Sequence, residues 1–364
     1  MIAVFAYAFP HRKTYDFLVE LFFAGERNVT VFAAPFKKLD NNEAAPLLRS
    51  AANLARPIDT SLVCNQLGYQ FIEIAHDDVL EISKQVKSQK LSLGIVSGAR
   101  ILKPNIIQCF QEGIVNFHLG KIPETSGLDC FFYTLKNNVE AGVTTHFIDA
   151  KGDAGDFLAF NPVPIGIDDT PEDVQFNCYT QQINALRIFL KNWRNGSLNP
   201  TTIHREMKNS PMTRDQKWET LKSFPQWRVN RINEQLGESV ILGCEKGDTE
   251  SVLAQISRFP NMLEFRTANG WTPLIVASFN QQSALVDGLL KLGANPNAAG
   301  DKGTTVLMYA KTALVNQPTP DFKILKALIS AGADTMRCDK YGKNVMHYVS
   351  ENSALKTFFE TAKA

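Results

Sequence analysis

The chain has 364 residues, enough for two or three domains that each bury a core. Its formal net charge is +1 with 21% charged residues, so composition sets up no strong field for nucleic acid or an acidic membrane. Six cysteines are scattered at 64, 109, 130, 178, 244 and 338, with no CxxC pair and no metal-ligand spacing, which speaks against a disulfide framework or a zinc site and fits reduced thiols in a cytosol.

Residues 2–9 form a continuous apolar run that reads as a buried strand. It lacks a basic leader and runs into Pro10-His11-Arg12-Lys13, which disfavours a signal sequence. No apolar stretch is long enough to span a bilayer. Residues 14–24 carry Phe17, Leu18, Leu21 and Phe22 at helical spacing, and 29–33 reads as a second buried strand. A strand, helix and strand opening predicts a parallel sheet with helices on its faces. The turn between them places His11, Arg12 and Lys13 at the carboxyl edge of a strand beside a helix N-terminus. Phosphates bind at such places, so these three are candidate substrate-binding residues, with a solvated turn as the alternative.

Residues 37–59 are polar and irregular, with a short helix expected near 44–53. A strand is expected at 71–74, a helix from Asp77-Asp78 to about Ser88, and a buried strand at 91–96. Ser97-Gly98-Ala99-Arg100 turns out of that strand, and Pro104 opens a short helix.

The stretch 114–156 carries the chemistry. Asn116 and His118 are two apart in an apolar run, so a strand puts both on one face. A helical segment (127–138) and a strand (143–148) follow, enough chain to bring Asp153 back beside them. An amide, an imidazole and a carboxylate suit transfer of an acyl-type group to an amine. The imidazole takes the proton, the amide supports the oxyanion, and the carboxylate orients the ring. The loop 120–126 adds Glu124 and Ser126 as candidate acceptors for substrate hydroxyls or amine, with an ordinary polar loop as the alternative.

This stretch resembles the folate-dependent formyltransferases, through Asn116-Phe117-His118, Ile122-Pro123, Gly127, His146-Phe147-Ile148 and Asp153-Ala154-Gly155, with Ser97 to Pro104 upstream. The resemblance covers about residues 1–235. It implies a Rossmann-like α/β core and 10-formyltetrahydrofolate as co-substrate, with no metal. It further implies that Asn116, His118 and Asp153 are catalytic. A pterin pocket would draw on Ser97, Gly98, Arg100, Leu102, Asp149 and Gly152.

Farther on, Thr170-Pro171-Glu172-Asp173 opens a helix to about Trp193. Residues 201–235 are polar with Trp218, Phe224, Trp227 and Arg228, like a short closing segment. From there Gly237, Gly270 and Gly303 recur every thirty-three residues, and Gly342 comes six residues late. Gly270-Trp271-Thr272-Pro273-Leu274-Ile275-Val276-Ala277 resembles the ankyrin repeat. The delay predicts an insertion near 316–320, between the two helices of the third repeat. Trp271, after the repeat glycine, is expected at an exposed turn tip. It is a candidate for a second ligand, a partner protein, or a clamp. His347 is expected to be structural.

The expected organisation is an α/β formyltransferase domain (1–165), a linking subdomain (166–235) and all-α ankyrin repeats (236–364). Within the family the chain resembles the nucleotide-sugar branch, which implies a reaction that formylates the amine of a dTDP-linked 3- or 4-amino dideoxyhexose, in the cytoplasm, for surface polysaccharide (O-antigen, lipopolysaccharide) synthesis. The expected partners are a nucleotide sugar and a second ligand or protein on the ankyrin surface, with a homodimer left open and no nucleic acid or membrane. The alternatives are a methionyl-tRNA or other amine formyltransferase, a formyltetrahydrofolate hydrolase, or an ankyrin interaction protein with an inactive core.

Overall fold

The computed structural model describes residues 1–37, 57–99, 101–149, 155–202, 209–317 and 319–362. The helix expected at 44–53 lies outside them, as do Arg100, Gly152 and Asp153. The chain divides into two compact units, Met1–Val229 and Asn230–Ala364.

The first unit opens with β1 (Ile2–Tyr7), α1 (Arg12–Phe23), β2 (Val29–Ala34), α2 (Thr60–Leu67) and β3 (Gln70–Glu73). It continues with α3 (Val79–Gln89), β4 (Leu93–Val96), α4 (Pro104–Ile107) and β5 (Ile114–Leu119). Then come α5 (Cys130–Lys136), β6 (Gly142–Phe147), β7 (Phe157–Pro162), α6 (Pro171–Arg194) and α7 (Arg214–Leu221). The strands form one sheet in the order β3-β2-β1-β4-β5-β6-β7. The first five are parallel, as their near-continuous apolar runs require. The parallel Rossmann-like core is extended at one edge by β6, which runs antiparallel to both β5 and β7. Leu119, at the end of β5, pairs with Val143, near the start of β6, so the segment holding α5 leaves and re-enters the sheet at the same edge and β6 runs the other way.

One face of the sheet packs on α1 and α6, through Phe17, Leu18, Leu21, Ala185, Leu186 and Phe189. The other packs Phe5, Phe32 and Ile114 against Ile82, Val86 and Ile106 of α3 and α4. Sequence periodicity missed α2, whose cap is explicit: the Asp59 carboxylate accepts from the Ser61 amide at 3.0 Å. Toward the end of this unit, α7 is tied to α5. Asp129 Oδ1 lies 2.9 Å from the buried Lys217 ammonium, and Oδ2 accepts from the Met212 amide at 2.9 Å.

A further helix, α8 (Phe224–Lys246), runs unbroken through the expected 235/236 boundary. Gly237 therefore sits inside a helix rather than in a repeat turn, and its Cα faces the Phe265 ring so closely that a Cβ would clash at 2.2 Å. The expectation of a turn there was wrong: a helical residue needs no positive φ, whereas Gly270, Gly303 and Gly342 adopt φ near +70°.

In the second unit the helices pair as α9 (Thr249–Arg258), α10 (Pro273–Phe279) with α11 (Ser283–Lys291), α12 (Val306–Thr312) with α13 (Lys323–Ser330), and α14 (Ser353–Thr361). Thr272 and Thr305 cap α10 and α12. In the last copy Asn344 takes the threonine's place, with His347 Nδ1 2.7 Å from its Oδ1. The pairs α10–α11 and α12–α13 are joined by residues 280–282 and 313–322, so the extra residues of the third repeat lie between its helices. Trp271 is not an exposed tip. It is half-buried, with its ring 4.7 Å from Tyr309 and 5.5 Å from Phe279.

Replacing Asp129 with Ala strands a buried ammonium, so Asp129→Ala is expected to lower stability by about 3–5 kcal/mol, read from the urea midpoint. A negligible shift would mean that Lys217 reaches water on its own.

Candidate active site

Strand β5 alternates between two surroundings. Val115 and Phe117 enter the α1/α6 side, where the Phe117 ring meets Phe17 at 5.5 Å and Phe189 at 6.0 Å. That burial leaves Asn116 and His118 together on the opposite face. Antiparallel pairing then sets His146 opposite Asn116 and Thr144 opposite His118. Four polar side chains from two strands thus share one face.

His118 is buried, and its Nε2 lies 3.0 Å from the Thr125 carbonyl oxygen and 3.4 Å from Cys130 Sγ. A carbonyl only accepts, so Nε2 carries the hydrogen and the neutral ring keeps its lone pair at Nδ1. The loop that delivers Thr125 is fixed from three sides. The Thr144 hydroxyl donates to the Gly120 carbonyl at 2.6 Å and accepts from the Ile122 amide at 3.2 Å. The Thr125 hydroxyl and amide both return to the Lys121 carbonyl. From the closing segment, the Asn209 amide donates to the carbonyls of Glu124 at 2.9 Å and Ser126 at 3.0 Å.

The candidate acceptors divide. Ser126 is fully buried within this loop. Glu124 is half-buried, and its Oε2 is enclosed with no hydrogen-bond partner among the described residues, which is costly unless a donor arrives.

The second cluster lies where the strand order reverses, between the carboxyl ends of β1 and β4, the usual ligand crevice of open α/β sheets. The buried Ser97 hydroxyl donates to the Phe5 carbonyl at 3.0 Å and lies 3.3 Å from Thr14 Oγ1. A Cβ on Gly98 would sit 2.9 Å from both His11 Cε1 and Tyr7 Cδ2, so only glycine lets this turn approach α1. Leu102 is in the core with Ile106 and Phe110, and Asp149 is half-buried beyond β6.

The basic turn is largely committed to the fold. His11 caps α1 by accepting from the Thr14 amide at 3.3 Å. Arg12 pairs with Asp16 at 2.7 Å and stays one-third exposed (33%). Lys13 lies over the Phe17 ring, 5.0 Å from its centre. Burial, with the Lys13 charge adding to it, holds the His11 imidazole down to about 4, and burial pushes Lys13 down to about 8.

Sequence reading missed Thr125, Cys130, Thr144, His146 and Asn209 as parts of this site. The signal for two of them was present: Thr144-x-His146 repeats the spacing of Asn116-x-His118 on the partner strand. Among the described residues no group of three His, Cys, Asp or Glu is placed to hold a metal.

With this geometry in place, the comparisons with known proteins bear on the chain. Residues 59–187 match the formyl transferase family model, and residues 269–301 match the ankyrin repeat. Phosphoribosylglycinamide formyltransferase of Haemophilus influenzae is 27% identical over 119 residues, which cover 32% of this chain and 56% of that protein. The chain thus spans about half the length of that relative. In the repeats, mouse NF-kappa-B inhibitor delta is 41% identical over 59 residues, covering 16% of this chain and 18% of that protein. Among solved structures, the N-formyltransferase of Helicobacter canadensis in complex with folinic acid and dTDP-3-aminofucose aligns at a TM-score of 0.40. It is 16% identical, with 55% of this chain and 66% of that one covered.

The buried His11 yields a pH dependence of known sign. Folded His11 takes its proton only near pH 4, whereas the unfolded chain takes it near 6.5. The unfolded state binds more protons in between, so stability falls as pH drops from 6.5 to 4. Asn is also a good helix cap. His11→Asn should therefore flatten the slope of urea midpoint against pH in that window without losing the cap; an unchanged slope would place the titrating group elsewhere.

Proposed function

We propose that the chain transfers a formyl group from 10-formyltetrahydrofolate to the amine of a dTDP-linked 3- or 4-amino dideoxyhexose. The observation that carries this reading is the pairing of Asn116 and His118 on one sheet face, with the His118 ring turned by the Thr125 carbonyl so that its basic nitrogen is Nδ1. The match of residues 59–187 to the formyl transferase family supports the donor.

The residues divide the work as follows. Asn116 donates to the formyl oxygen as the amine attacks and negative charge gathers there. His118 receives the proton that the amine loses as its new C–N bond forms. The same proton can pass to the folate nitrogen as the old C–N bond breaks, so no other acid is needed. Asp153 stabilises the charged imidazole. Folate is held near Ser97, Gly98, Arg100, Leu102, Asp149 and Gly152. The acceptor meets Glu124 and the turn at His11, Arg12 and Lys13, where Arg12 is the partly exposed cation. The sugar acceptor is supported at that turn by Arg12, since His11 caps α1 and Lys13 lies over the Phe17 ring. The ankyrin unit offers a surface for a partner protein or second ligand.

A second reading, formylation of glycinamide ribonucleotide, is favoured by the Haemophilus influenzae relative. Both readings share the donor and differ in the acceptor. The test incubates purified protein with 10-formyltetrahydrofolate and a panel of dTDP-amino sugars, glycinamide ribonucleotide and methionyl-tRNA, and follows the mass gain of a formyl group. A gain on an amino sugar is expected. A gain on glycinamide ribonucleotide alone would favour the second reading, and a gain on none would remove both. Asn116→Ala and His118→Asn should each lower kcat by about 100-fold or more.

A further inference from the structure

Asn116 has a partner that the catalytic reading does not use. Its Nδ2 lies 3.4 Å from His146 Nε2, across the strand pair. The other ring nitrogen, His146 Nδ1, lies 2.9 Å from the Phe147 carbonyl oxygen. That oxygen can only accept, so Nδ1 carries the hydrogen and a neutral ring turns a lone pair toward Asn116. A lone pair accepts only from a donor. The amide must then present its NH2 group to this ring rather than its oxygen.

We infer that His146 is a positioning residue for the proposed formyl transfer: it selects the amide orientation of Asn116 in which one N–H is spent on the ring and the other serves the formyl oxygen. With the amide turned over, Asn116 would offer an oxygen to an oxyanion, and repulsion would replace the hydrogen bond. The inference rests on the formyl-transfer reading only for the role of the second N–H; the orientation itself follows from the two contacts.

Two features of the chain fix this arrangement. Thr145 pairs with Ala159 and His146 with Phe157, so Leu158 is an extra residue and β7 bulges beside His146. Bulges of this kind re-aim a side chain next to a site. The Phe147 carbonyl is also held in place, by β5 on one side and by the close approach of the returning chain on the other. The Ile148 amide, in the same peptide plane, donates to the Ile114 carbonyl at 2.8 Å, and a Cβ on Gly155 would fall 1.9 Å from the Phe147 oxygen. Any side chain at 155 would push that carbonyl, and with it the acceptor that sets the His146 tautomer. Gly155 is thereby coupled to Asn116 through Phe147 and His146.

The experiment has two arms. Spectra of wild type labelled with 15N-histidine and assigned by comparison with His146→Gln should show His146 with its hydrogen on Nδ1; a hydrogen on Nε2 overturns the inference whether or not the protein is a formyltransferase. In the second arm, kcat and KM are measured with 10-formyltetrahydrofolate and the best acceptor of the panel. His146→Leu should lower kcat by about 10- to 100-fold, since it misaims a donor worth roughly 100- to 1000-fold. KM should hardly move. His146→Gln, whose amide oxygen can accept from Asn116, should recover most of the rate. Asn116→Ala combined with His146→Leu should be no slower than Asn116→Ala alone, because the two act as one unit. A wild-type rate in His146→Leu, or losses that multiply in the double variant, would overturn the inference. If wild type formylates no acceptor, the functional reading fails and the spectra alone decide the orientation.

Discussion

The antiparallel pairing of β5 with β6 is the constraint on which the candidate site depends. In an antiparallel ladder, residues directly opposite point to the same face. The register sets Asn116 against His146 and His118 against Thr144, so one pairing decision collects all four polar groups. A slip by one residue would drive these polar groups into the α1/α6 core and bring Phe117 out of it. Phe117 resists that slip, being almost fully buried against Phe17 and Phe189. The apolar side of the sheet thus holds the polar side in place. The same reversal keeps residues 120–130 at the strand's carboxyl end, which is why Thr125 and Cys130 reach His118.

Close backbone approach is the second requirement, and it ties the site to the switch point of the sheet. At Gly98 the turn after β4 comes against Tyr7 and His11, joining the end of β4 to the start of α1. Backbone amides of Ser97 and Gly98 both donate to the Phe5 carbonyl, so this turn is set by main-chain bonds rather than by side-chain choice. Gly98 apart, such a turn can vary in side chain and keep its shape. At this edge the Arg12 side chain, paired with Asp16, stays partly exposed.

The parts legible from sequence were those with a local period. Apolar runs marked β1, β2, β4 and β5, and period two put Asn116 beside His118 before any partner strand was known. What escaped depended on distant chain. The direction of β6 is decided by where α5 returns, which no run of residues 142–147 encodes. His146 was read as part of a motif spacing, because its contact with Asn116 exists only once the register is fixed. Gly237 fitted a thirty-three-residue period yet is helical, since its close neighbour Phe265 comes from a later turn. Trp271 was read as an exposed tip because a repeat position has an average exposure, whereas Phe279 and Tyr309 cover it in this chain. His11, Arg12 and Lys13 read as a basic turn by composition, but capping, ion pairing and burial engage each of them in turn.

Hydrogen-bond direction carries the argument from fold to chemistry. Two imidazoles stand 6.4 Å apart on one face, and identical side chains would be expected to behave alike. Each ring is told where to keep its hydrogen by a backbone carbonyl, a group that cannot donate. Thr125 fixes the hydrogen of His118 on Nε2, and Phe147 fixes that of His146 on Nδ1. The two neutral rings are therefore opposite tautomers, with lone pairs on different nitrogens. The lone pair of His146 faces the Asn116 amide, and in the proposed arrangement that contact sets the amide's orientation. The lone pair of His118 lies on the nitrogen that Thr125 does not hold, the nitrogen that acts as base in the proposed transfer. Main-chain geometry, set by a strand reversal and a bulge, thus gives one residue type two different tautomers, and the proposed transfer uses one as an orienter and the other as a base.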